Sequence, residues 1–393
     1  MIDKRIANSE CCGCKMCSQI CPVGAIDFRE DKNGFWNPVV DEKKCIKCGL
    51  CIDRCPVITQ EHNRKLNVTC YGAWNKKDSV RMDSTSGGVF YELAMFVLRR
   101  GGVCYGAAYN NAMRVEHIMI SKESDLIKIM KSKYVQSDTS GVYISVKEQL
   151  TQGKVVLFSG TPCQVHALYN FLGNVKIDNL ITVDFICCGV PSPLAFKKYI
   201  EMLETQYHSK ISHIWFKNKR LGWHNLGTYI QFANGGEYFR TGNRDKYMTA
   251  YIKDGLTIRN SCTSCRFRNV PHCSDITLGD FWGIETLHPE YNDERGVSAV
   301  MINSSVGEKV FQSIIDSLDC FDTQVDDIAY GNFTLFESKA KNQNQDAFFS
   351  LLKDKGFRQA IRKYGSYTGF RKVCIDVKYY IKRLLVHIGG NYE

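Results

Sequence analysis

Two cysteine-rich stretches near the N-terminus decide the fold of this part of the chain: CCGCKMCSQICP spans residues 11–22, and CIKCGLCIDRCP spans residues 45–56. Both follow the pattern C-x2-C-x2-C-x3-C-P, so the segment contains an internal repeat of about 34 residues. Three thiolates two residues apart on a tight loop can reach three irons of one cubane, while the fourth lies beyond that loop's reach. The spacing therefore predicts two metal clusters that exchange their fourth ligands.

This spacing is the ligand run of a bacterial-type ferredoxin with two [4Fe–4S] clusters. We expect one cluster on Cys11, Cys14, Cys17 and Cys55, and the other on Cys45, Cys48, Cys51 and Cys21. Zinc is the alternative, although zinc sites generally use two C-x2-C pairs and not a triplet followed by Cys-Pro. Cys12 is out of register and is expected to be a bystander.

Length and cysteine content favour an intracellular protein of several domains. The 393 residues can bury a large core in two or three domains. The 19 cysteines are odd in number and eight fit cluster spacing, which favours a reducing compartment over secretion. The segment MIDKRIANSE has no apolar signal core, and the sequence has no run of 18 apolar residues. We expect a soluble, cytoplasmic protein.

The formal net charge of +10 is concentrated in the tail. Residues 351–393 carry ten Lys/Arg and three Asp/Glu, against nine and eight in residues 1–60. A basic surface attracts nucleic acid, anionic lipid or an acidic protein, but no nucleic-acid-binding motif is present. The tail segment 370–388 has the pattern of a basic amphipathic helix. Docking on the core or on a partner subunit is favoured, with peripheral membrane contact as the alternative.

The predicted fold class is α+β, with a small dicluster ferredoxin-like domain at 1–60 and a polar linker at 61–67. The bridge between the cysteine loops reads as a hairpin that turns at Asn33-Gly34. Residues 68–303 alternate strand and helix signals and predict a larger mixed α/β domain. Residues 304–393 are expected to form a helical C-terminal region.

A second set of cysteines follows predicted strands. Cys163 lies in SGTPCQVHAL, Cys187 and Cys188 in DFICCGVPSP, and Cys262, Cys265 and Cys273 lie further along. Buried cysteines are common as small hydrophobic residues, but three such junctions favour one shared site. We expect Cys163, Cys187, Cys262 and Cys265 to bind a third [4Fe–4S] cluster, with structural zinc as the alternative. Cys188 and Cys273 are reserve ligands.

Two segments suggest a second cofactor. DSTSGGVF, residues 83–90, puts hydroxyls and glycines before a predicted helix, which suits phosphate binding or a simple N-cap. DFWG, residues 280–283, offers aromatic rings either to a cavity or to the core. The sequence has neither a G-x-G-x-x-G fingerprint nor a P-loop, so direct use of NAD or ATP is not indicated.

Seven motifs between Cys11 and Asn303 resemble those of a known family. In order they are YGAWNKKDSVRMDSTSGGVFYEL, SKYVQSD, GTPCQVHAL, DFICCGVPSP, RNSCTSC, SDITLGDFWG and GVSAVMIN. They are similar to the beta subunit of coenzyme F420-reducing hydrogenases and dehydrogenases, in the form with an N-terminal dicluster ferredoxin. The resemblance implies FAD beside the third cluster, whose cysteines agree with the four chosen above. The segments that it implies to contact the flavin contain Ser84, Thr85, Ser86, Gly87, Gly88, Lys133, Tyr134 and Gln136. Cys188 departs from the family, which commonly has His there.

The resemblance and the number of clusters predict an iron–sulfur flavoprotein oxidoreductase. Electrons would pass from a redox partner protein or low-potential carrier such as ferredoxin through [4Fe–4S] clusters to the flavin. They would continue to a small organic acceptor, F420-like or other, or run in reverse. Two alternatives are an electron-transfer subunit without its own substrate chemistry and a flavin-less module with a structural or binding role. No residue is assigned as a catalytic acid or base.

Overall fold

A computed structural model describes residues 1–59, 67–366 and 373–377. It consists of a small N-terminal module with the cysteine repeat, followed by a larger mixed α/β domain. The predicted α+β class is therefore confirmed. The predicted linker, 61–67, lies outside the described residues except for Asn67.

A hairpin separates the two cysteine loops of the N-terminal module. The elements of this module are α1 (Ile2–Arg5), α2 (Met16–Gln19), β1 (Ile26–Glu30), β2 (Trp36–Val40) and α3 (Leu50–Asp53). β1 and β2 pair antiparallel, and the Gly34 N–H donates to the Asp31 carbonyl at 3.0 Å, so the turn lies at the predicted position. α2 and α3 each follow a left-handed residue, Lys15 (φ 58°) and Gly49 (φ 84°), which are equivalent positions of the repeat. The two loops therefore share one backbone conformation.

An eight-stranded mixed sheet forms the centre of the larger domain, and a three-stranded sheet lies beside it. The strands are β3 (Thr69–Asn75), β4 (Val103–Tyr109), β5 (Val115–Ile120), β6 (Val156–Ser159), β7 (Leu180–Phe185), β8 (Ile211–Asn218), β9 (Gly227–Phe232), β10 (Glu237–Thr241), β11 (Ile276–Asp280), β12 (Ser298–Ile302) and β13 (Leu318–Thr323). The large sheet has the order β13-β3-β12-β11-β7-β6-β4-β5, and β4, β6, β7 and β11 run parallel. The carboxyl ends of these parallel strands open at one edge, where ligands bind in sheets of this kind.

The helices of the larger domain pack against its two sheets. They are α4 (Asp78–Asp83), α5 (Val89–Leu98), α6 (Leu126–Ile129), α7 (Val142–Thr151), α8 (Pro162–Leu172), α9 (Pro193–Tyr207), α10 (Lys246–Met248), a π-helical turn (Thr249–Lys253), α11 (Ile284–Leu287), α12 (Ser305–Ile314), α13 (Val325–Gly331) and α14 (Gln345–Tyr364). On β6, Leu157 packs in the core with α5 and α12, whereas its neighbours Val156 and Phe158 pack with α7 and α8. Successive side chains of a strand point to opposite faces, so this strand is buried on both sides.

The C-terminal region differs from the helical segment that the sequence suggests. Residues 318–323 form β13, which pairs with β3 at the sheet edge, and most of its side chains are exposed or half-buried. A strand buried mainly at one end lacks a strong hydrophobic pattern, which explains why it was not predicted. α14 packs against α9 and is kinked at Gly356 (φ 78°).

Of the predicted amphipathic helix at 370–388, the structure describes only 373–377, which are helical. Asp376 in this segment accepts a 2.7 Å hydrogen bond from Arg244 Nε. In the described parts of the chain, no helix combines the length and apolarity needed to cross a membrane.

Candidate iron–sulfur and cofactor site

The eight cysteines of the N-terminal module fall into a buried set and a more exposed set. Cys11, Cys14, Cys17 and Cys55 are buried, Cys21, Cys45 and Cys51 are half-buried, and Cys48 is exposed. Burial raises the pKa of the Cys17 thiol well above its ordinary value, and the nearby thiols of Cys11 and Cys55 raise it further. Three of the four cysteines expected on one cluster are therefore neighbours in space. The buried set is the one predicted to share that cluster.

Arg259 joins the module to the larger domain. Its side chain is 2% exposed. Nε donates to the Cys11 carbonyl at 2.7 Å, and Nη2 donates to the Trp36 carbonyl and to Asn37 Oδ1, both at 2.9 Å. Nη1 donates to Gln136 Oε1 at 3.1 Å. The buried guanidinium of Arg259 thus binds the backbone of the first cysteine loop and the β1–β2 hairpin. It also holds the side chain of Gln136 in place.

The four cysteines of the second set line one cavity of about 150 Å³. Cys163 lies in the first turn of α8, where Thr161 and Gln164 form a capping box after β6. Cys187 follows β7, and Cys262 and Cys265 lie in and just after a 3₁₀ turn. Burial raises the pKa of Cys187, and the thiols of Cys262, Cys163 and Cys265 raise it further. The structure therefore brings together all four predicted ligands.

The two reserve cysteines lie elsewhere. The Cys188 thiol is 3.4 Å from Thr334 Oγ1 and lines a different, larger cavity. Cys273 is buried in an apolar cluster with Met16 and Leu168. Neither residue lines the cavity of the second set.

Cys12 has a position that the sequence did not reveal. It lines the same cavity as Cys163, and its thiol lies within hydrogen-bonding reach of the Cys14 and Cys163 thiols. The contact with Cys14 and burial raise the pKa of Cys12. Cys12 therefore lies between Cys14, a predicted ligand of the module, and Cys163, a predicted ligand of the second set. The prediction that Cys12 is a bystander did not include this contact.

The donor set of this cavity suits an iron–sulfur cluster. It offers only cysteine thiols at the four predicted positions, the usual ligands of a [4Fe–4S] centre. Within residues 1–59, 67–366 and 373–377, no three His, Cys, Asp or Glu side chains surround one point closely enough to hold a single metal ion. The thiolates of a cubane bind separate irons and stand further apart than the ligands of one ion.

A cavity of about 930 Å³ lies at the carboxyl edge of the large sheet. Six of the eight residues expected to contact a flavin line it: Ser84, Thr85, Ser86, Gly88, Lys133 and Tyr134. Gly87 is not in its lining, and its N–H donates to Ser298 Oγ at 2.9 Å. Gln136 lines the cysteine cavity instead, because its amide donates to the Cys12 carbonyl at 3.2 Å and accepts from Arg259.

The larger cavity can bind a flat, polar ligand such as a flavin. Five side-chain atoms of its lining are buried without a hydrogen-bond partner: Thr85 Oγ1, His117 Nδ1, Trp223 Nε1, Thr228 Oγ1 and Asp280 Oδ1. Buried polar atoms normally have a partner, so these atoms mark places where a ligand can donate or accept. Trp282 lines the cavity and stacks on Trp223 with ring centroids 4.7 Å apart, whereas Phe281 is buried in the core.

Lys217 and Lys133 line the cavity, and Lys219 holds its hydroxyl segment from outside the lining. Lys217 ion-pairs with Asp280; burial alone would lower the pKa of Lys217, but Asp280 and Tyr134 raise it. Burial lowers the pKa of Lys133 to about 7. Lys219 donates to the Ser86 carbonyl at 2.6 Å and so fixes the loop before α5. Lys217 and Lys219 were not predicted, because neither belongs to a recognisable motif.

The buried imidazole of His117, in the lining of the larger cavity, makes the stability of the protein depend on pH. Burial lowers the pKa of His117 to about 4, and Nε2 lies 2.9 Å from the Ser159 carbonyl. Between pH 6.5 and about 4 the unfolded chain binds one more proton at this site than the folded protein does. We therefore expect stability to fall through this window as the pH drops, by about 3 kcal/mol in total.

The measurement is the free energy of unfolding of the purified protein from about pH 7 to about pH 4. A His117→Gln variant should show a smaller loss than the parent, while His208→Gln, at the half-exposed end of α9, should behave like the parent. If the parent and His117→Gln lost the same stability on acidification, the lowered pKa of His117 would not be the cause of that loss.

A dicluster cysteine module next to a third group of thiols and a large polar cavity defines an iron–sulfur electron-transfer protein. Comparison with protein families agrees. Residues 10–58 match the 4Fe-4S dicluster domain, and residues 153–325 match the family described as the C terminus of the coenzyme F420 hydrogenase/dehydrogenase beta subunit. The chain therefore carries both domains that its motifs predict, the dicluster domain and the C-terminal domain of the F420 hydrogenase/dehydrogenase beta subunit.

Individual relatives have low identity but extended overlap. The chain is 21% identical over 370 residues to the F subunit of the F420H2 dehydrogenase of Methanosarcina mazei, covering 91% of this chain and 96% of that protein. It is 23% identical over 171 residues to coenzyme F420-dependent sulfite reductase of Methanocaldococcus jannaschii, covering 42% of this chain and 26% of that protein. A chain of the F420-reducing [NiFe] hydrogenase complex from Methanosarcina barkeri gives a TM-score of 0.45 at 17% identity, covering 77% of this chain and 94% of that one.

Proposed function

We propose that this chain is an iron–sulfur flavoprotein oxidoreductase, with a third [4Fe–4S] cluster on the second cysteine set and FAD in the larger cavity. It exchanges electrons with a low-potential carrier on one side and a small organic acceptor on the other. The observation that carries the proposal is the position of Cys187, which lines both the cysteine cavity and the larger cavity. A cofactor in either cavity would therefore lie against the same residue.

The thiols form a continuous series from the surface to this shared wall. Cys51 neighbours the exposed Cys48 and also Cys17 of the buried set. Cys14 of that set contacts Cys12, and Cys12 contacts Cys163. Cys163 in turn neighbours Cys187. Cysteines predicted to bind successive centres are thus close together, with Cys12 between Cys14 and Cys163, and a relay of one-electron centres needs such an arrangement.

A flavin supplies the conversion between one-electron and two-electron chemistry. Around it, the chain contributes charge and hydrogen-bonding groups. Gly88, with φ 93°, starts α5 and lets Ser84, Thr85 and Ser86 line the cavity beside the helix N-terminus, which suits a pyrophosphate. Lys217 and Lys133 line the wall, where their amino groups can donate hydrogen bonds to a bound flavin, and the charge of Lys217 is paired with Asp280.

The relatives suggest the class of acceptor. Two of them are, by name, an F420H2 dehydrogenase subunit and an F420-dependent reductase. A deazaflavin such as F420 is flat, and the cavity opening has the half-exposed side chains Ile252 and Phe333 to contact such a ring. We therefore propose an F420-like acceptor or donor, in a reducing cytoplasm that suits 19 cysteines free of disulfides.

Metal analysis and flavin quantitation on an anaerobic preparation test the proposal. We expect about twelve irons, four for each of three cubanes, and about one flavin per chain. Zinc in place of iron, or about eight irons without flavin, would contradict it. If flavin is present but F420 turnover occurs only on adding a partner protein, the alternative of an electron-transfer component without its own substrate chemistry replaces the enzyme.

A further inference from the structure

The surface around Cys48 has the exposed large hydrophobic side chains of the N-terminal module. Cys48 is exposed, and the large hydrophobic side chains exposed among residues 1–59 are Val23 (41%), Ile46 (61%) and Leu50 (37%). Ile46 and Leu50 flank Cys48 on the second cysteine loop, and Val23 follows Cys21, which is predicted to bind the same cluster. We call Val23, Ile46, Cys48 and Leu50 the outer face.

The internal repeat gives each apolar residue of the outer face a counterpart. The offset that aligns Cys11 with Cys45 also aligns Cys12 with Ile46, Met16 with Leu50, and Val23 with Val57. All three counterparts face the larger domain. Met16 packs with Val142 and Leu168, Val57 packs with Phe267, and Cys12 reaches Cys163. We call Cys12, Met16 and Val57 the inner face.

The outer face and the inner face therefore occupy equivalent positions around the two predicted clusters. The equivalent left-handed residues, Gly13 (φ 69°) and Lys47 (φ 59°), show that the loop backbones also correspond. The inner face is covered by a domain that carries the next group of cysteines, whereas none of the residues that the structure describes covers the outer face. Apolar residues exposed together beside a redox centre indicate a surface for transient protein contact.

Charge distinguishes the outer face from the inner one. Lys43, Lys44 and Lys47 are exposed on the outer loop, and the repeat aligns them with Ser9, Glu10 and Gly13 on the inner loop. Of the acids on this loop, Glu42 pairs with Lys4 at 2.5 Å and Asp41 with Lys44 at 3.8 Å, and Asp53 is exposed. Residues 41–54 hold four Lys/Arg against three Asp/Glu, and Lys4 adds a further positive charge. A rim of excess lysine charge around an apolar centre favours an acidic partner.

We propose that the outer face is the docking site for a small acidic one-electron carrier protein. The inference rests on the dicluster part of the proposed function and does not depend on the flavin. One electron would leave the reduced carrier, which is oxidised, and reduce the cluster that Cys48 is predicted to bind; no bond is made or broken and no proton is transferred. The lysines steer the carrier to the surface, and the three apolar side chains exclude water at the contact.

A stopped-flow measurement tests the proposal on the full-length, cluster-loaded protein. The probe is a reduced [2Fe–2S] ferredoxin of net negative charge, and the signal is the return of its own visible absorbance as it is oxidised, read at a long wavelength where [4Fe–4S] centres absorb little. The charge-reversed variant K43E/K44E/K47E should react at least about tenfold more slowly at low salt and lose most of the salt dependence. Ile46→Asp should slow the reaction without removing the salt dependence.

The control variant K176E/K197E/K355E changes the net charge by the same amount at exposed lysines outside the module, and it should react like the parent. Reduction by methyl viologen radical should be equally fast in all variants, because a small donor needs no docking face. Similar slowing by both triple variants, or unchanged ferredoxin kinetics in K43E/K44E/K47E, would overturn the proposal. A chain without flavin would fail the proposed function and still give a valid result here.

Discussion

A Cys187→Ala variant is expected to lose about four irons per chain and to stop electron transfer between the module and the larger cavity. The reason is its position, since Cys187 lines both cavities and neighbours the other three cysteines of the second set. The eight cysteines of the module are unaffected, so about eight irons should remain. Iron analysis and electron paramagnetic resonance of the reduced protein measure the loss. Stopped-flow reduction of the bound flavin through the module measures the break in transfer.

Three further cysteines serve as controls for this experiment. Cys104 is buried in the sheet core, where burial raises its pKa to about 12, and Cys104→Ala should keep every iron. Cys188→Ala and Cys12→Ala should also keep about twelve irons, because neither thiol is one of the four predicted ligands. A Cys187→Ala protein that retains about twelve irons, or a Cys12→Ala protein that loses about four, would show that the ligand set is wrong.

The module and the second cysteine set could be predicted for different physical reasons. In the module, three of the four predicted ligands of each cluster lie within one loop, so local spacing carries most of the information. Cys163 and Cys187 are distant from Cys262 in sequence, but each of the first two follows a strand of the parallel part of the sheet. The carboxyl ends of such strands meet at one edge, so strand-end cysteines can be expected to converge before the fold is known.

Other parts of the site depend on long-range contacts that have no local signal. Lys217 ends an ordinary amphipathic strand, and its partner Asp280 is 63 positions away. Cys12 follows Cys11 in the same motif, yet its thiol reaches Cys163 of the larger domain. Gln136 lies in a segment that resembles a flavin-contacting one, but its amide bonds to the module instead. In each case the role comes from which elements pack together, and sequence spacing does not encode that.

An Arg259→Met variant is expected to loosen the module from the larger domain. The buried guanidinium supplies donors to four acceptors, which are the carbonyls of Cys11 and Trp36 and the side chains of Asn37 and Gln136. A buried acceptor left without a donor costs about 1–3 kcal/mol, so the loss should be at least about 3 kcal/mol at this contact. Hydrogen exchange should speed up in the β1–β2 hairpin, and magnetic coupling between the module and the third cluster should weaken.

Arg266→Met is the matched control, because Arg266 also crosses the interface, to Glu10 at 3.5 Å and to the Val57 carbonyl at 3.1 Å, but its side chain and that of Glu10 are about half exposed. Exposed pairs contribute little, so this variant should exchange like the parent. Arg259→Lys should show hydrogen exchange at a rate between those of Arg259→Met and Arg266→Met. The ammonium of lysine is compact and cannot replace the planar guanidinium, which reaches the hairpin, the cysteine loop and Gln136 together. If Arg259→Met left exchange and coupling unchanged, the module would be held by its other contacts, among them the Lys15–Asp138 ion pair (2.7 Å) and the hydrogen bond from Thr139 Oγ1 to the Cys14 carbonyl (2.7 Å). Electron transfer to Cys163 would then not depend on the guanidinium.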